Sequence, residues 1–458
     1  MASKVHDKAT SVEKIGIEHV PESGRHGTAM RAFTVWFAAN LGAAGFAIGV
    51  LAVWGFGLTL AQAIPVILIS NIVGGFVLGM TASMGPELGF PQMFISRSAF
   101  GRKGNYLPAG LNWISTIGWF TFNTILGAMA LVAIFPGFMP TISFYIWIIA
   151  LMFIQVIIAI FGHDMIHVFE KVMSVVLGLV FLAIFVLTLP QLGAALAYVP
   201  PVAFASSLGA IGATIAVAFS YIIAWSPYAS DYSRYFPKKT SKARVAMFAM
   251  LGGALGSFGV EALGAIVAAV LRTPAALSSN ATLFLGISHA FGGLGIVLLA
   301  ALAVGVITAN ALNIYSNSLS ALVLDVKVKR WITVAVGGLL GLALALYVGE
   351  NFAVDFENFL LILDYWITPW IAIMLVDFFI AKRTAKAMKG TAKLFDVRTI
   401  AIYLLSIALS APFMVPSGIT GPVIGSLSYI FGGADFSYFV SFAIAGVAYF
   451  LYRKYCKR

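Results

Sequence analysis

No charged residue occurs between Leu107 and Met139, a run long enough to cross the hydrocarbon core of a bilayer as a single helix. An α-helix rises 1.5 Å per residue, so ~20 apolar residues span ~30 Å of hydrocarbon, and only a helix or a closed barrel satisfies its backbone there. Runs of this kind recur along the chain. They are read as twelve spans over 32–56, 60–83, 106–134, 142–161, 168–189, 204–229, 246–271, 288–320, 332–348, 358–380, 399–415 and 438–452. They are too long for the ~10-residue alternating strands of a membrane barrel. Of the 458 residues 61% are hydrophobic and 10% charged, with a mean hydropathy of +0.98, whereas a soluble domain is about one quarter charged. The expected class is therefore an all-α polytopic membrane protein.

The basic residues fix a direction for these spans. Taken from the N-terminus, every second connection carries Lys and Arg, and these segments together hold 27 of the 28 basic residues. The richest are the N-terminus (Lys4, Lys8, Lys14, Arg25, Arg31), the sixth connection (Arg234, Lys238, Lys239, Lys242, Arg244) and the tenth (Lys382, Arg383, Lys386, Lys389, Lys393, Arg398). Only Arg272 falls on the opposite side. The positive-inside rule then predicts a multi-pass protein of the plasma or inner membrane with both termini in the cytoplasm. The net charge of +11 is accounted for by topology, so nucleic acid is not an expected partner. The polar first thirty residues lack the apolar core of a signal peptide, and a cleaved leader is not expected. The single cysteine, Cys456, cannot form an intrachain disulfide.

Two spans have small, polar-interrupted centres: the first ("AANLGAAGFAIG") and the sixth ("GAIGATIAVAFSYIIAWSPY"). Five spans apart, they cross in opposite directions, as an inverted-topology repeat requires, and paired interrupted helices point to a transporter's midplane site. The competing reading is close helix packing through Gly and Ala.

Polar groups in lipid are costly. Trp119 and Asn123 stand one helical turn apart near the middle of the third span, and Ser220, Tyr221 and Trp225 follow the midpoint of the sixth. Asn40 and Gly42 lie at the centre of the first span, and Asn310 and Asn313 nearly one turn apart in the eighth. Asparagines also tie helices together for about 0.6 kcal/mol each. As a set, uncharged amides and indoles suit a flat, neutral, hydrogen-bonding heterocycle: aromatic faces stack on its ring, and a carboxamide matches a donor–acceptor edge. Ionisable groups within spans are few and include Glu261, a proton carrier or a helix-binding group, together with Asp364 and Asp377. The "GHDMIH" segment sets His163 and His167 at metal-compatible spacing, but no third ligand stands nearby in sequence. A channel would need a ring of like residues and an enzyme a nucleophile, metal or cofactor constellation; none is apparent, and no enzymatic activity or cofactor is expected.

These motifs together resemble the nucleobase–cation symporter family, the permeases for cytosine, purines, uracil, allantoin, hydantoin and thiamine. The likeness runs through "IEHVPESGRHGTAMRAFTVWFAANLG", "LGFPQMFISRSAFGRKGNYLPAGLNWISTIGWFTFNT", "AWSPYASDYSRYFPKKTS" and "TANALNIYSNSLSAL". The "WSPYASDYSRY" form is most like the purine–cytosine branch. The resemblance implies a five-plus-five inverted-repeat core, residues 32–189 and 204–380, with helices 1 and 6 broken. It places a polar N-terminus (1–31) before the core and two extra helices with a basic tail (381–458) after it. It implies alternating access with substrate and Na+ or H+ bound together, in what is read as a monomer. Trp119 matches the family's stacking tryptophan, Asn123 its polar neighbour, Asn313 the helix-eight contact to the ring and Gly42 a backbone position facing it. The second stacking aromatic falls on Tyr221, Ile222 or Trp225, with Trp225 favoured. The sodium site carries over to the carbonyls of Ala38 and Leu41 and the hydroxyl of Thr308. Its second hydroxyl position is Ile307, which offers no oxygen, so proton coupling through Glu261 is the alternative.

Overall fold

The computed structural model describes residues 13, 15–139, 142–201, 204, 206–273, 280–349, 353–385, 388, 393–416, 419 and 421–456. Lys4, Lys8, Lys14, Lys386, Lys389, Lys457 and Arg458 lie outside them.

Among the described residues the regular structure is all helical. Its principal helices are α1 (Met30–Ala39), α2 (Ala43–Val50), α3 (Leu60–Ala82), α4 (Tyr106–Ile134), α5 (Ser143–Phe161), α6 (His163–Thr188) and α7 (Ser207–Ile223). There follow α8 (Lys242–Leu271), α9 (Asn280–Phe291), α10 (Gly293–Val323), α11 (Arg330–Val348), α12 (Ala353–Leu375), α13 (Val397–Ser410) and α14 (Ser437–Leu451). Among the described residues nine helices are long and apolar enough to cross a membrane, and the pair α1–α2, bent by 60°, makes a tenth. Each of the twelve expected segments contains helix, the first and the eighth parts of two, but twelve full spans are not found among the described residues. The last two, of 14 and 15 residues, reach only ~21–23 Å at 1.5 Å per residue, short of the bilayer core. Large apolar side chains such as Ile69, Phe153, Leu179 and Leu182 point outwards, as a surface solvated by lipid requires.

Three boundaries differ from those expected on the sequence. The fifth span starts at His163 rather than 168, because Gly162, at φ +88°, turns the chain directly from α5 into α6. The eighth span is divided at Gly292, where φ is +52°, leaving α9 as a separate short helix. In the sixth span α7 is continuous through its small-residue centre, and the interruption comes later, at the 3-10 turn Ser226–Tyr228. Pro227 lacks the amide hydrogen and carries the ring that together stop a regular helix there.

The first span breaks at Asn40–Gly42, where Gly42 is extended. Glycines let other backbones hold this break on two sides. On α8, a Cβ on Gly256 would come within 2.6 Å of the Phe37 carbonyl oxygen. On α10, a Cβ on Gly305 would collide with the Leu41 carbonyl oxygen. The broken span is therefore clasped between α8 and α10, by the small-residue close approach common between helices in membranes.

Candidate functional site

Trp119 and Asn123 are one turn apart on α4 and both buried. The Trp119 ring meets Tyr221 of α7 edge-on, with centroids 5.7 Å apart, and Phe359 of α12 at 5.2 Å. Its indole N–H has no hydrogen-bond partner. Leaving a buried donor unpaired costs about 1–3 kcal/mol, so this N–H is an unmet demand for an acceptor. The Tyr221 hydroxyl lies against the backbone at Gly45, beyond the break in the first span.

The asparagines form one connected chain. The Asn310 oxygen accepts from the Asn123 amide at 3.1 Å and from the Asn313 amide at 3.2 Å. The Asn310 amide donates to the Phe120 carbonyl at 2.9 Å and lies 3.1 Å from both the Thr124 hydroxyl and the Gln155 oxygen. Tyr228 donates to the Asn313 oxygen at 2.8 Å. Asn310 thus ties α10 to α4 and α5, while Asn123 and Asn313 border Trp119 and the turn after α7. Sequence alone does not single out Gln155, Thr124 or Tyr228. Gln155 does leave a signal, as the one carboxamide in the apolar run of α5.

The sixth-span aromatics separate. Tyr221 makes the ring contact with Trp119, whereas Trp225 packs on Trp36 and Tyr228, with centroids 5.6 Å away in each case. The Trp225 indole donates to the Asn40 oxygen at 2.9 Å, so the residue favoured for stacking is engaged with the broken first span. Ser220 donates to the Leu360 carbonyl at 2.7 Å, joining α7 to α12. Gly42 faces the backbone at Gly305.

Of the cation-site positions, the Thr308 hydroxyl donates to the Ala38 carbonyl at 3.0 Å and the Gly305 carbonyl at 2.7 Å, and the Leu41 carbonyl abuts Gly305. The Ala38 carbonyl and the Thr308 hydroxyl are thus in direct contact, with the Leu41 carbonyl against the neighbouring turn of α10 at Gly305, a smaller oxygen set than the ~6 a hard cation gathers. Glu261 of α8 is buried and accepts from the Asn71 amide of α3 at 2.6 Å, while its second oxygen has no partner. Asp377 is engaged by Arg383 at 3.0 Å, Ser98 at 2.6 Å and Tyr449 at 2.7 Å, an ion-paired structural hub. Asp364 and Glu170 are buried as well, and neither carboxyl oxygen of Glu170 has a partner. Two cavities, of about 600 and 560 Å³, lie away from Trp119. One is an apolar groove beside Phe37, Ile64, Phe181 and Phe258, and the other is near His26 and Asp164.

The N-terminal segment folds back over the helix ends at its own face of the bundle. The Glu13 carboxylate accepts from the His163 backbone at 3.0 Å and from the Tyr315 and Tyr235 hydroxyls, with Arg234 at 3.5 Å and Arg330 at 3.8 Å. His26 bonds Asp164 at 2.7 Å, and that bond pushes the His26 imidazole above its ordinary pKa.

This arrangement of bent and interrupted helices around buried uncharged amides is that of a polytopic membrane transporter, and comparison with known proteins agrees. Residues 19–441 match the family described as permease for cytosine/purines, uracil, thiamine, allantoin. The chain is 30% identical to the putative purine-cytosine permease YxlA of Bacillus subtilis (strain 168), over 97% of this chain and 96% of that protein. It is 27% identical to the purine-cytosine permease fcyB of Emericella nidulans, over 97% and 89%. Among solved structures it shares the fold of Mhp1, a nucleobase-cation-symport-1 family transporter in a closed conformation with bromovinylhydantoin bound, with TM-score 0.76, 19% identity and coverage of 97% and 96%. The chain belongs to this permease family, the nucleobase–cation symporters, and is a secondary transporter rather than an enzyme.

Proposed function

We propose that the protein imports cytosine and/or purine bases by cation-coupled symport with alternating access. The observation that carries this reading is the unpaired Trp119 indole N–H beside the Asn123–Asn310–Asn313 amide chain. A planar base bearing ring acceptors and exocyclic donors meets the demand of the indole and can exchange partners with the amides. Its ring stacks on Trp119 and Tyr221, its acceptor takes the indole proton, and its edge exchanges partners with Asn123 and Asn313. A mismatched ring leaves a buried group unpaired and is rejected by about 1–3 kcal/mol per group. Trp119 and Tyr221 meet edge-on without a base between them, so in this reading the base enters by parting the two rings. Ser220, Gly42 and Asn310 hold the surrounding helices together, and Trp225 controls the break in the first span through Asn40.

Residues 32–189 and 204–380 are read as two five-helix repeats of opposite direction, and the basic N-terminal face as cytoplasmic. The driving ion is Na+ at Ala38, Leu41 and Thr308, or H+ carried by Glu261. Either gains about 2.3 kcal/mol per 100 mV on moving inwards. The test is uptake of radiolabelled cytosine, adenine and guanine in cells lacking their own permeases, with allantoin, uracil, hydantoin and thiamine as competitors. Saturable uptake of one of the three bases is expected. Absence of uptake from a correctly inserted protein overturns the reading, and strong competition by a second heterocycle reassigns the substrate within the family.

A further inference from the structure

We propose that His26, His163 and Asp164 form a binding site for a divalent transition-metal ion of the zinc type, which staples the N-terminal segment to the start of the fifth span. The GHDMIH segment supplies two of these ligands, and the third comes from a part of the chain far away in sequence. One atom from each of the three lies within 4.8 Å of the others. His163 is 2% exposed, and neither of its ring nitrogens has a hydrogen-bond partner. Its plane is fixed by stacking on Tyr235, with centroids 3.9 Å apart. A buried imidazole with both nitrogens unmet is costly unless something is bound there.

The donor set selects the ion. Two imidazoles and one carboxylate suit zinc, cobalt or nickel, whereas Mg2+ and Ca2+ need several oxygens, and only one carboxylate is present. The His26 ring is already oriented for ligation, since its Nδ1 bonds the Gly24 carbonyl at 3.1 Å and so directs Nε2 at Asp164. A backbone partner of this kind commonly fixes the ring of a ligating histidine. Zinc bonds of about 2.0–2.2 Å at a tetrahedral angle hold ligand atoms ~3.3 Å apart. Reaching that separation opens the 2.7 Å His26–Asp164 contact. Rotation of His26 and Asp164 draws both side chains in towards the fixed His163 ring, from within 4.8 Å, and the ion replaces the Nε2 proton. A cavity of about 560 Å³ is lined by two of the three ligands, His26 and Asp164, with His163 buried behind them, and it gives an ion access from that side and room for a water as the fourth ligand. Arg31 and Lys171 also line it, so the ion enters against two cations. This sets a moderate affinity and favours metals whose bonds to nitrogen are strong.

The consequence is mechanical. His26 precedes the first span and His163 opens the fifth, so the ion cross-links two spans at the N-terminal face. The purified full-length protein is titrated with Co2+ and then Zn2+. One equivalent of Co2+ with a visible d–d band, displaced by Zn2+, and a melting temperature raised by Zn2+ are expected. His26→Gln and His163→Asn weaken binding at least tenfold, while His289→Ala, on an exposed histidine at the end of α9, leaves it unchanged. If His163→Asn fails to fold, His26→Gln decides alone, since this half-buried side chain lies on the overlying segment. Absence of binding to the unmodified protein, or binding to His26→Gln within twofold of it, overturns the proposal.

Discussion

The Trp225 indole N–H is bonded to the Asn40 side-chain oxygen at 2.9 Å, across 185 positions of sequence. The bond joins the break in the first span to the turn that ends α7. The Asn40 amide in turn donates to the Trp36 carbonyl at 2.6 Å, so Asn40 caps α1 and receives α7 together. Trp225→Phe keeps an aromatic ring against Trp36 but leaves a buried oxygen unpaired, at a cost of about 1–3 kcal/mol. We expect a lower melting temperature and a reduced uptake rate, with substrate affinity changed less than by Trp119→Phe. Scintillation binding of a labelled base, measured beside thermal melting, separates the two residues. Equal losses of affinity would return Trp225 to the stacking role.

Asn310 and Asn123 share a hydrogen bond but carry unequal structural weight. Asn310→Ala removes the acceptor of two amides and a donor facing the Phe120 carbonyl, Thr124 and Gln155. Several buried groups lose partners, each at about 1–3 kcal/mol, so the variant is expected to fold poorly. Asn123→Ala breaks one such bond. It should melt within a few degrees of the unmodified protein yet lose the stabilisation that a bound base confers. Melting curves with and without the preferred base read this directly; a full ligand shift in Asn123→Ala removes it from the substrate contacts.

Much of this arrangement is legible in the sequence because membrane physics writes it in long, simple signals. The apolar runs locate the helices, and the i, i+4 pair Trp119–Asn123 and the i, i+3 pair Asn310–Asn313 each lie on one helical face. Their depth can be read by counting from the span ends. What pairs with what cannot. The resemblance leaves Tyr221, Ile222 and Trp225 open for the second stacking position and favours Trp225, whereas it is Tyr221 whose ring meets Trp119 in the folded chain. The contacts of His26 with Asp164 and of Asn71 with Glu261 span 138 and 190 residues and leave no local trace. The division of the eighth span at Gly292 is hidden because glycine within a span is ordinarily tolerated in lipid.

Gly305 and Leu41 make a steric prediction. With a Cβ at position 305, the Leu41 carbonyl must withdraw, and the break in the first span parts from α10. Overpacking of this kind costs about 1–3 kcal/mol. It also displaces the Ala38 carbonyl from the Thr308 hydroxyl. Gly305→Ala should therefore lose uptake and melt lower. Gly293→Ala, in the same helix with nothing within 4 Å of the added carbon, should do neither. Uptake assays on the pair, normalised to membrane expression, provide the comparison.

Glu13 anchors the N-terminal segment. Its carboxylate is buried with Arg234, whose side chain is fully enclosed. Removing one member of a buried pair leaves an uncompensated charge and commonly costs 3–5 kcal/mol. Glu13→Ala should destabilise the protein severely, and Arg234→Met likewise. In the double variant the two losses should partly cancel, giving a favourable coupling energy. A double-mutant cycle of melting temperatures measures it, and strictly additive losses would show that the two groups do not depend on each other.

Glu261 separates the two candidate coupling ions. Glu261→Gln keeps an oxygen for the Asn71 amide and nearly the same volume, so the packing of α3 on α8 survives. What it loses is the ability to gain and release a proton. If Glu261 carries the coupling proton, the variant still exchanges labelled for unlabelled base, because exchange needs no net ion movement, but it no longer accumulates base against a gradient. Thr308→Ala acts on the other route, removing the hydroxyl near Ala38, and a sodium-coupled carrier would lose its sodium stimulation there. Reconstituted vesicles with imposed proton or sodium gradients, assayed for exchange and for accumulation, distinguish the cases. Our expectation is that Glu261→Gln retains exchange and loses uncoupler-sensitive accumulation. Accumulation that persists in this variant and still collapses with uncoupler would place the proton on another group.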